Sequence, residues 1–301
     1  MPPVPVILDT DIGSDVDDAL ALALMARHPA FDLRAVTTVS GDTVRRARIA
    51  RKLLHLAGRD DVEVAAGERG EQTHEYRSAE GEHEDEMLGE WDGRLLVSER
   101  GGVDLLVEEL RGGAVELTTV GMQSNLAAAL ERAPGLVAAV PRVTVMGGLF
   151  AEPRTLGKAL PASIDHNLNV DQGASLRSLN AGMRLVYVPC DVTMDLWLRR
   201  KHVDRLRAGD DLCRELARQI DIYRKDERAP EDHMCRLHDP LAVATIVERS
   251  FVRTMRAKVT VAPVGDHLRT FIDPLEGHEA EIVSGVDGPG FADWWLEAVL
   301  G

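Results

Sequence analysis

Short β-branched runs alternate with longer amphipathic segments through the first two thirds of the chain. The short runs predict strands over residues 4–8, 33–39, 62–65, 115–120, 142–146 and 184–189. Apolar residues at three- and four-residue spacing predict helices over residues 17–27, 43–57, 103–110, 125–132 and 171–181. This alternation favours an α/β fold with a doubly wound, mostly parallel, Rossmann-like sheet flanked by helices. Ligands of such sheets bind beyond the carboxyl ends of the strands.

The pattern changes after Cys190, where further helices and strands are added. We predict helices over residues 195–207 and 211–224, a helix from Asp239, strands over residues 251–262, 267–272 and 281–283, and a closing helix over residues 290–300. Because no linker rich in Pro, Ser or Gly separates the two parts, we expect one domain over residues 1–301.

The segment from Glu68 to Gly93 shows no convincing periodicity and is strongly acidic. Its carboxylates include Glu75, Glu80, Glu82, Glu84, Asp85, Glu86, Glu90 and Asp92. We predict a long surface loop, which is either a solvated excursion or a mobile lid over a site.

Charge and composition exclude several classes of partner. The chain has 35 basic and 50 acidic side chains, a net charge of -15, and this charge repels nucleic acid and anionic lipid surfaces. The longest apolar run, residues 19–26, is too short to span a bilayer, which takes about 20 residues. The first predicted strand begins almost at Met1 and leaves no room for an export signal. We therefore expect a cytoplasmic protein without a membrane or nucleic-acid partner.

The three cysteines agree with a reducing compartment. Cys190, Cys213 and Cys235 are odd in number, widely spaced and outside any CxxC pattern. Neither a disulfide framework nor a zinc site is indicated.

Five aspartates fall within ten residues, directly after the first predicted strand and before the first helix: Asp9, Asp11, Asp15, Asp17 and Asp18. Several of these carboxylates must converge at the strand end, and their repulsion requires a cation or shared protons. Oxygen ligands without a neighbouring His or Cys favour Ca²⁺ or Mg²⁺. One of the five aspartates can cap the helix, but capping does not account for all of them.

A strand followed by DxD also opens the haloacid-dehalogenase-type phosphatases. In that Mg²⁺-dependent alternative, Asp9 is the nucleophile and Asp11 is the general acid. That class normally has Thr or Val where Gly13 stands.

Seven separated stretches, in order along the chain, resemble motifs of the nucleoside hydrolases, calcium-dependent enzymes that cleave the N-glycosidic bond of ribonucleosides. Residues 9–19 resemble DxDxGxDDA, 37–42 TTVxGN, 121–126 GPLTNL, 145–148 MGG, 165–171 EFNxxxD, 191–193 DVT, and 238–244 HDPLAVA. The resemblance therefore covers nearly the whole chain.

The resemblance implies a Ca²⁺ site and a water nucleophile. It implies that the metal is held by the side chains of Asp11, Asp18 and Asp239 and by the backbone carbonyl of Ser124. Asp11 would also take a proton from the metal-bound water. His238 would then assist the leaving base, provided that its pKa lies near the working pH. Family members are usually dimers or tetramers, so we expect a homodimer or homotetramer.

The resemblance also implies a set of ribose-binding residues: Asp17, Asp42, Asp165 and Asn167. The chain departs from the family pattern here, because Asp42 replaces the usual Asn and Asp165 the usual Glu. Two extra residues precede Asp17, so either Asp15 or Asp17 serves the metal or the ribose. A metal-dependent nucleoside or sugar binder without turnover is a further alternative.

Base specificity is poorly readable from the sequence. Candidates for contact with the base lie ahead of His238: Tyr223, Arg224, Arg228 and His233. The tryptophans at 91, 294 and 295 are more typical of packing than of base stacking.

Overall fold

The structure is a computed structural model that describes residues 2–71, 83–224 and 229–301. Its helices and strands follow in chain order: β1 (Val4–Thr10), α1 (Asp17–Arg27), β2 (Phe31–Thr38), α2 (Thr43–Leu56), β3 (Glu63–Ala66), α3 (Glu84–Leu88), α4 (Gly102–Leu110), β4 (Glu116–Thr119), α5 (Ser124–Arg132), α6 (Leu136–Ala139), β5 (Val143–Met146), β6 (Arg154–Thr155), β7 (Lys158–Ala159), α7 (His166–Asn169), α8 (Gln172–Leu179), β8 (Leu185–Val188), α9 (Cys190–Thr193), β9 (Trp197–Arg199), α10 (Arg200–Arg207), α11 (Asp211–Tyr223), β10 (His233–Arg236), α12 (His238–Ala244), β11 (Val252–Val264), β12 (His267–Ile272), β13 (His278–Val286) and α13 (Gly288–Leu300).

Nine strands form one mixed sheet, in the order β12-β11-β13-β8-β5-β4-β1-β2-β3. The strands from β13 to β3 pair in parallel, while β11 pairs antiparallel with β12 and β13. The predicted α/β sheet is thus confirmed, with an antiparallel extension from the C-terminal strands. Strands β2 and β3 lie on one side of β1, and β4 and β5 lie on the other. The side on which successive strands are added therefore reverses at β1. Ligand sites of open α/β sheets lie at such a switch point.

Helix α1 carries the first acidic motif into the interior. Its residues from Asp17 to Met25 are all buried, which is typical of a helix packed on all sides. It lies against α2, α12 and α13. A rigid, buried helix therefore presents its N-terminal aspartates at the switch point.

Two predicted elements differ from the structure. Residues 195–207 are not one helix, because residues 197–199 form β9, which pairs with β10 in a small antiparallel sheet before α10 begins. The long-range partner of β9 is not visible in its local sequence. The acidic segment is also not a loop throughout, since residues 84–88 form α3 and residues 89–91 a 3₁₀ turn. Met87 and Leu88 of α3 are buried; residues 72–82, with Glu75, Glu80 and Glu82, lie outside the described residues.

Cys190, Cys213 and Cys235 are buried free thiols, as predicted. Within the part of the chain that the structure describes, no helix is both long and apolar enough to cross a bilayer.

Candidate active site

A cavity of about 420 Å³ opens at the carboxyl end of β1. Its polar lining is drawn from three parts of the chain: Asp11, Ser14, Asp15, Asp17 and Asp18 after β1, Asp165, His166 and Asn167 at α7, and Tyr223, Arg236, His238 and Asp239 near α12. Its apolar wall is formed by Val120, Met146, Leu160, Ile164, Cys190 and Met194. Most of the residues predicted for the site therefore share one cavity.

An acidic centre lies at the base of this cavity, where α1 and α12 begin. Asp17, Asp18 and Asp239 are buried, and each offers a carboxylate oxygen within 4.8 Å of the others. The Thr10 hydroxyl donates to Asp18, and the backbone N–H of Asp239 donates to Asp17 over 3.3 Å. Burial, together with repulsion among the carboxylates, raises the pKa of all three. Three crowded oxygen donors fit a hard divalent cation such as Ca²⁺ or Mg²⁺.

Asp11 lies beside the acidic centre on the cavity wall. Its carboxylate is 3.9 Å from Nε2 of His166 and adds repulsion that raises the pKa of Asp17, Asp18 and Asp239. The loop after β4 runs against it so closely that a Cβ on Gly121 would approach the backbone nitrogen of Asp11 to 2.9 Å. A glycine is therefore required at this position of the third motif, residues 121–126.

Asp9 does not share the environment of Asp11. It is fully buried, and its Oδ1 accepts hydrogen bonds from the Thr37 hydroxyl (2.6 Å) and the Asn125 amide (2.7 Å). Burial raises its pKa to about 7. Because Asp9 is absent from the cavity lining, it is not accessible as a nucleophile. The structure therefore does not favour the phosphatase alternative.

Asp165 and Asn167 line the same cavity as the acidic centre. Asp165 caps α7 through the Leu168 N–H (3.0 Å) and also accepts from the Gly148 N–H (2.6 Å). Burial raises its pKa to about 6. Asn167 donates its amide to the carbonyls of Val120 (2.5 Å) and Met146 (3.2 Å) at the ends of β4 and β5. Both side chains are thereby held in fixed positions.

His238 begins α12 and lines the cavity with Arg236. Its Nδ1 lies 2.6 Å from the Thr193 hydroxyl. Burial, and to a lesser extent the Arg236 charge, lowers the pKa of His238 to about 3. The condition that its pKa lie near the working pH is therefore not met, and the imidazole is neutral around pH 7. Arg236 stacks on Trp197 at 4.2 Å and donates to the Met194 carbonyl.

Two residues implied by the resemblance lie outside the cavity lining. Asp42 is exposed and caps α2 by accepting from the Arg45 N–H (3.0 Å). Ser124 donates its hydroxyl to Asp171 (2.6 Å) and lines a separate polar cavity. The roles of Asp42 in ribose binding and of Ser124 in metal binding therefore stay predictions.

Two residues of the cavity were not predicted: His166, which lies inside the motif over residues 165–171, and Arg236, which lies two residues before the motif over residues 238–244. Nothing in their local sequence separates them from surface residues. Of the base-contact candidates, Tyr223 lines the cavity and His233 packs on Trp197 instead. Arg224 donates to backbone carbonyls of residues 229 and 230, and Arg228 lies outside the described residues. Trp295 is fully buried, as its predicted packing role requires.

Residues 6–293 match the family described as inosine-uridine preferring nucleoside hydrolase. The chain belongs to the nucleoside hydrolase family. The motif resemblance is thus confirmed over nearly the whole chain, and this hydrolase can be compared with its relatives. A pyrimidine-specific ribonucleoside hydrolase RihA of Salmonella agona (strain SL483) is 30% identical, with 98% of this chain and 97% of the relative covered.

Solved structures share the fold of this nucleoside hydrolase. A plant nucleoside hydrolase, the PpNRh1 enzyme, superposes with a TM-score of 0.84 at 22% identity and full coverage of both chains. A purine-preferring ribonucleoside hydrolase from Gardnerella vaginalis gives a TM-score of 0.80 at 24% identity, covering 99% of this chain and 98% of the other. The name of the Salmonella relative states a pyrimidine specificity, whereas the name of the Gardnerella enzyme states a purine preference.

Proposed function

We propose that this nucleoside hydrolase cleaves the N-glycosidic bond of a ribonucleoside or related riboside and releases free base and ribose. The observation that carries the proposal is that the buried acidic centre, Asp165 and Asn167 line the same cavity. Such an arrangement suits a sugar bound between a cation and hydrogen-bonding side chains.

We propose Ca²⁺ as the cation. Asp11, Asp18 and Asp239 would hold it by side chains, together with the backbone carbonyl of Ser124. Asp17 lies in the same acidic centre, which supports either a metal or a ribose role for it, and Asp15 lines the same cavity. When bound, the cation lowers the pKa of an attacking water.

Asp11 would accept the proton of that water, since its carboxylate lines the cavity together with the acidic centre. Breaking the ribosyl–base bond builds positive charge on the sugar. The surrounding carboxylates would stabilise this charge, because they are held in place before the reaction. Asp165 and Asn167, with Asp17 and Asp42, would bind the ribose hydroxyls.

The leaving base would meet His238 and Arg236. We propose the tautomer in which Nδ1 of neutral His238 accepts from the Thr193 hydroxyl, so that Nε2 carries the proton and donates a hydrogen bond to the base. Arg236 supplies a permanent positive charge near the negative charge that develops on the base. We therefore assign leaving-group stabilisation to a neutral donor beside a fixed cation.

We further propose that residues 1–301 act as one domain, and that the enzyme is a cytoplasmic homodimer or homotetramer. The continuous nine-stranded sheet supports the first point, and three buried thiols agree with a reducing compartment.

The test is an assay of purine and pyrimidine nucleosides with the purified chain, after chelation and after Ca²⁺ is restored. We expect release of free ribose that chelation abolishes and Ca²⁺ recovers. Tight nucleoside binding without ribose release would instead identify a non-catalytic binder. Phosphate release from phosphomonoesters would point to the phosphatase chemistry.

A further inference from the structure

A fully buried arginine on α2 holds the loop that carries the first acidic motif. Arg46 is 1% exposed. Its Nη1 donates to the carbonyl of Ile12 (3.0 Å) and to that of Asp11, and its Nη2 donates to the Ser14 hydroxyl (2.8 Å). Its Nε donates to the Ser40 carbonyl (2.9 Å). One guanidinium therefore ties the loop after β1 to the loop after β2.

Both loops contain backbone that needs such support. Gly13 has φ of +118°, and Ser40 has φ of +74°, which is rare for a residue with a side chain. Conformations of this kind persist where the surrounding structure fixes them. The bonds from Arg46 end on the two residues before Gly13, on the residue after it, and on Ser40 itself.

Glu84 compensates the charge of Arg46. Its Oε1 lies 3.5 Å from Nε of Arg46, and Glu84 is 3% exposed. Its side chain packs against the loop so closely that a Cβ on Gly13 would meet Cγ of Glu84 at 3.0 Å. Helix α3, which carries Glu84, is anchored in turn by Lys52, whose Nζ donates to the Met87 carbonyl over 2.6 Å.

We propose that Arg46, paired with Glu84, is a positioning residue for the cation site. It fixes the loop over residues 11–14 so that the carboxylates of Asp11 and Asp18 converge. Arg46 holds the backbone carbonyl of Asp11 while the Asp11 carboxylate lines the cavity, so the backbone from which this side chain extends is fixed. The proposal rests on the proposed function only in taking the acidic centre as a Ca²⁺ site.

The test measures Ca²⁺ affinity by calorimetry on the chelator-stripped full chain, together with the thermal midpoint. Arg46→Lys keeps the charge and loses the planar fork of donors. We expect it to weaken Ca²⁺ binding about tenfold or more, as losses of residues that orient metal ligands do. The matched control is Arg51→Lys on the same helix, because Arg51 is also buried and donates to a backbone carbonyl, that of Val62 (2.9 Å). We expect this control to lower the thermal midpoint and leave the affinity within twofold.

A double variant separates positioning from stability. Arg46→Met alone removes the cation of the buried Arg46–Glu84 pair, whereas Arg46→Met with Glu84→Gln removes both charges of that pair. We expect the double variant to recover thermal midpoint relative to Arg46→Met but to keep the weakened Ca²⁺ affinity. Should Arg46→Met fail to fold, Arg46→Lys still decides the question.

Two results would overturn the proposal: wild-type Ca²⁺ affinity in Arg46→Lys, or an equal loss in Arg51→Lys. Absence of Ca²⁺ binding by the wild-type chain would overturn it as well. Failure of nucleoside hydrolysis with Ca²⁺ binding intact would instead count against the proposed function alone.

Discussion

Removing one carboxylate from the acidic centre should stabilise the metal-free protein. The ligand oxygens of Asp17, Asp18 and Asp239 lie within 4.8 Å of one another. At an effective dielectric constant of about 20, each ionised pair at that distance repels by about 3.5 kcal/mol. Asp239→Asn removes two of the three pairs. Because the raised pKa values allow protonation to relieve part of this repulsion, we expect a gain of about 3 kcal/mol at pH 8.

The assay is scanning calorimetry at pH 8 in chelator and again with saturating Ca²⁺. For a chain of this size, 1 kcal/mol corresponds to about 2 °C, so Asp239→Asn should melt about 6 °C higher than wild type in chelator. Wild type should gain about 2.7 kcal/mol, or about 5 °C, at a Ca²⁺ concentration 100 times its Kd. The variant should gain much less.

Glu116→Gln is the matched control. Glu116 is also largely enclosed, with 17% of its side chain exposed, but it lies outside the cavity lining and accepts hydrogen bonds from Nε (2.9 Å) and Nη2 (2.7 Å) of Arg142. Its replacement should lower the thermal midpoint equally with and without Ca²⁺. If Asp239→Asn melts below wild type in chelator, as this control does, mutual repulsion is not what dominates the acidic centre.

Three further outcomes are expected. Asp9→Asn should keep nucleoside hydrolysis within about threefold of wild type in a ribose-release assay, because Asp9 lies outside the cavity; a loss above 100-fold would contradict its assignment. Asn167→Leu should lower kcat/KM about 10- to 100-fold in steady-state kinetics, through the loss of a hydrogen-bonding group at the ribose and of its bonds to β4 and β5. The pKa of Asp165 is raised to about 6, so this carboxyl group binds a proton in the folded state at pH values where it is ionised in the unfolded state, and the stability that the proton contributes is lost as pH rises from about 4 through 6. Over that range in chelator, the thermal midpoint of wild type should therefore decrease relative to that of Asp165→Asn; parallel pH profiles would refute the pKa assignment.

Much of the fold could be predicted from local sequence. The bounds of α1 match the prediction, because its apolar residues continue without interruption between the Asp17–Asp18 pair and a charged end at Arg27. The convergence of Asp11, Asp17 and Asp18 follows from their position at the end of a parallel strand. By contrast, β9 takes its extended form from pairing with β10, 35 or so residues later, which local periodicity cannot reveal.

The candidate site shows the same division. The motifs along the chain predicted that Asp165, Asn167, His238 and Asp239 belong to one site, and these residues line one cavity. The pKa of His238 could not be predicted, since it depends on burial by distant elements. The burial of Arg46 could not be predicted either, because the local sequence of an amphipathic helix does not distinguish a buried arginine from one on the surface.

The most direct test of the central claim follows the oxygen of the attacking water. The enzyme with Ca²⁺ is given a nucleoside in ¹⁸O-labelled water, and the products are analysed by mass spectrometry before free ribose exchanges its anomeric oxygen. For hydrolysis by a Ca²⁺-activated water, we expect one ¹⁸O atom in ribose, none in the base, and no product after chelation. Label in the base, or unchanged ribose release in chelator, would contradict it.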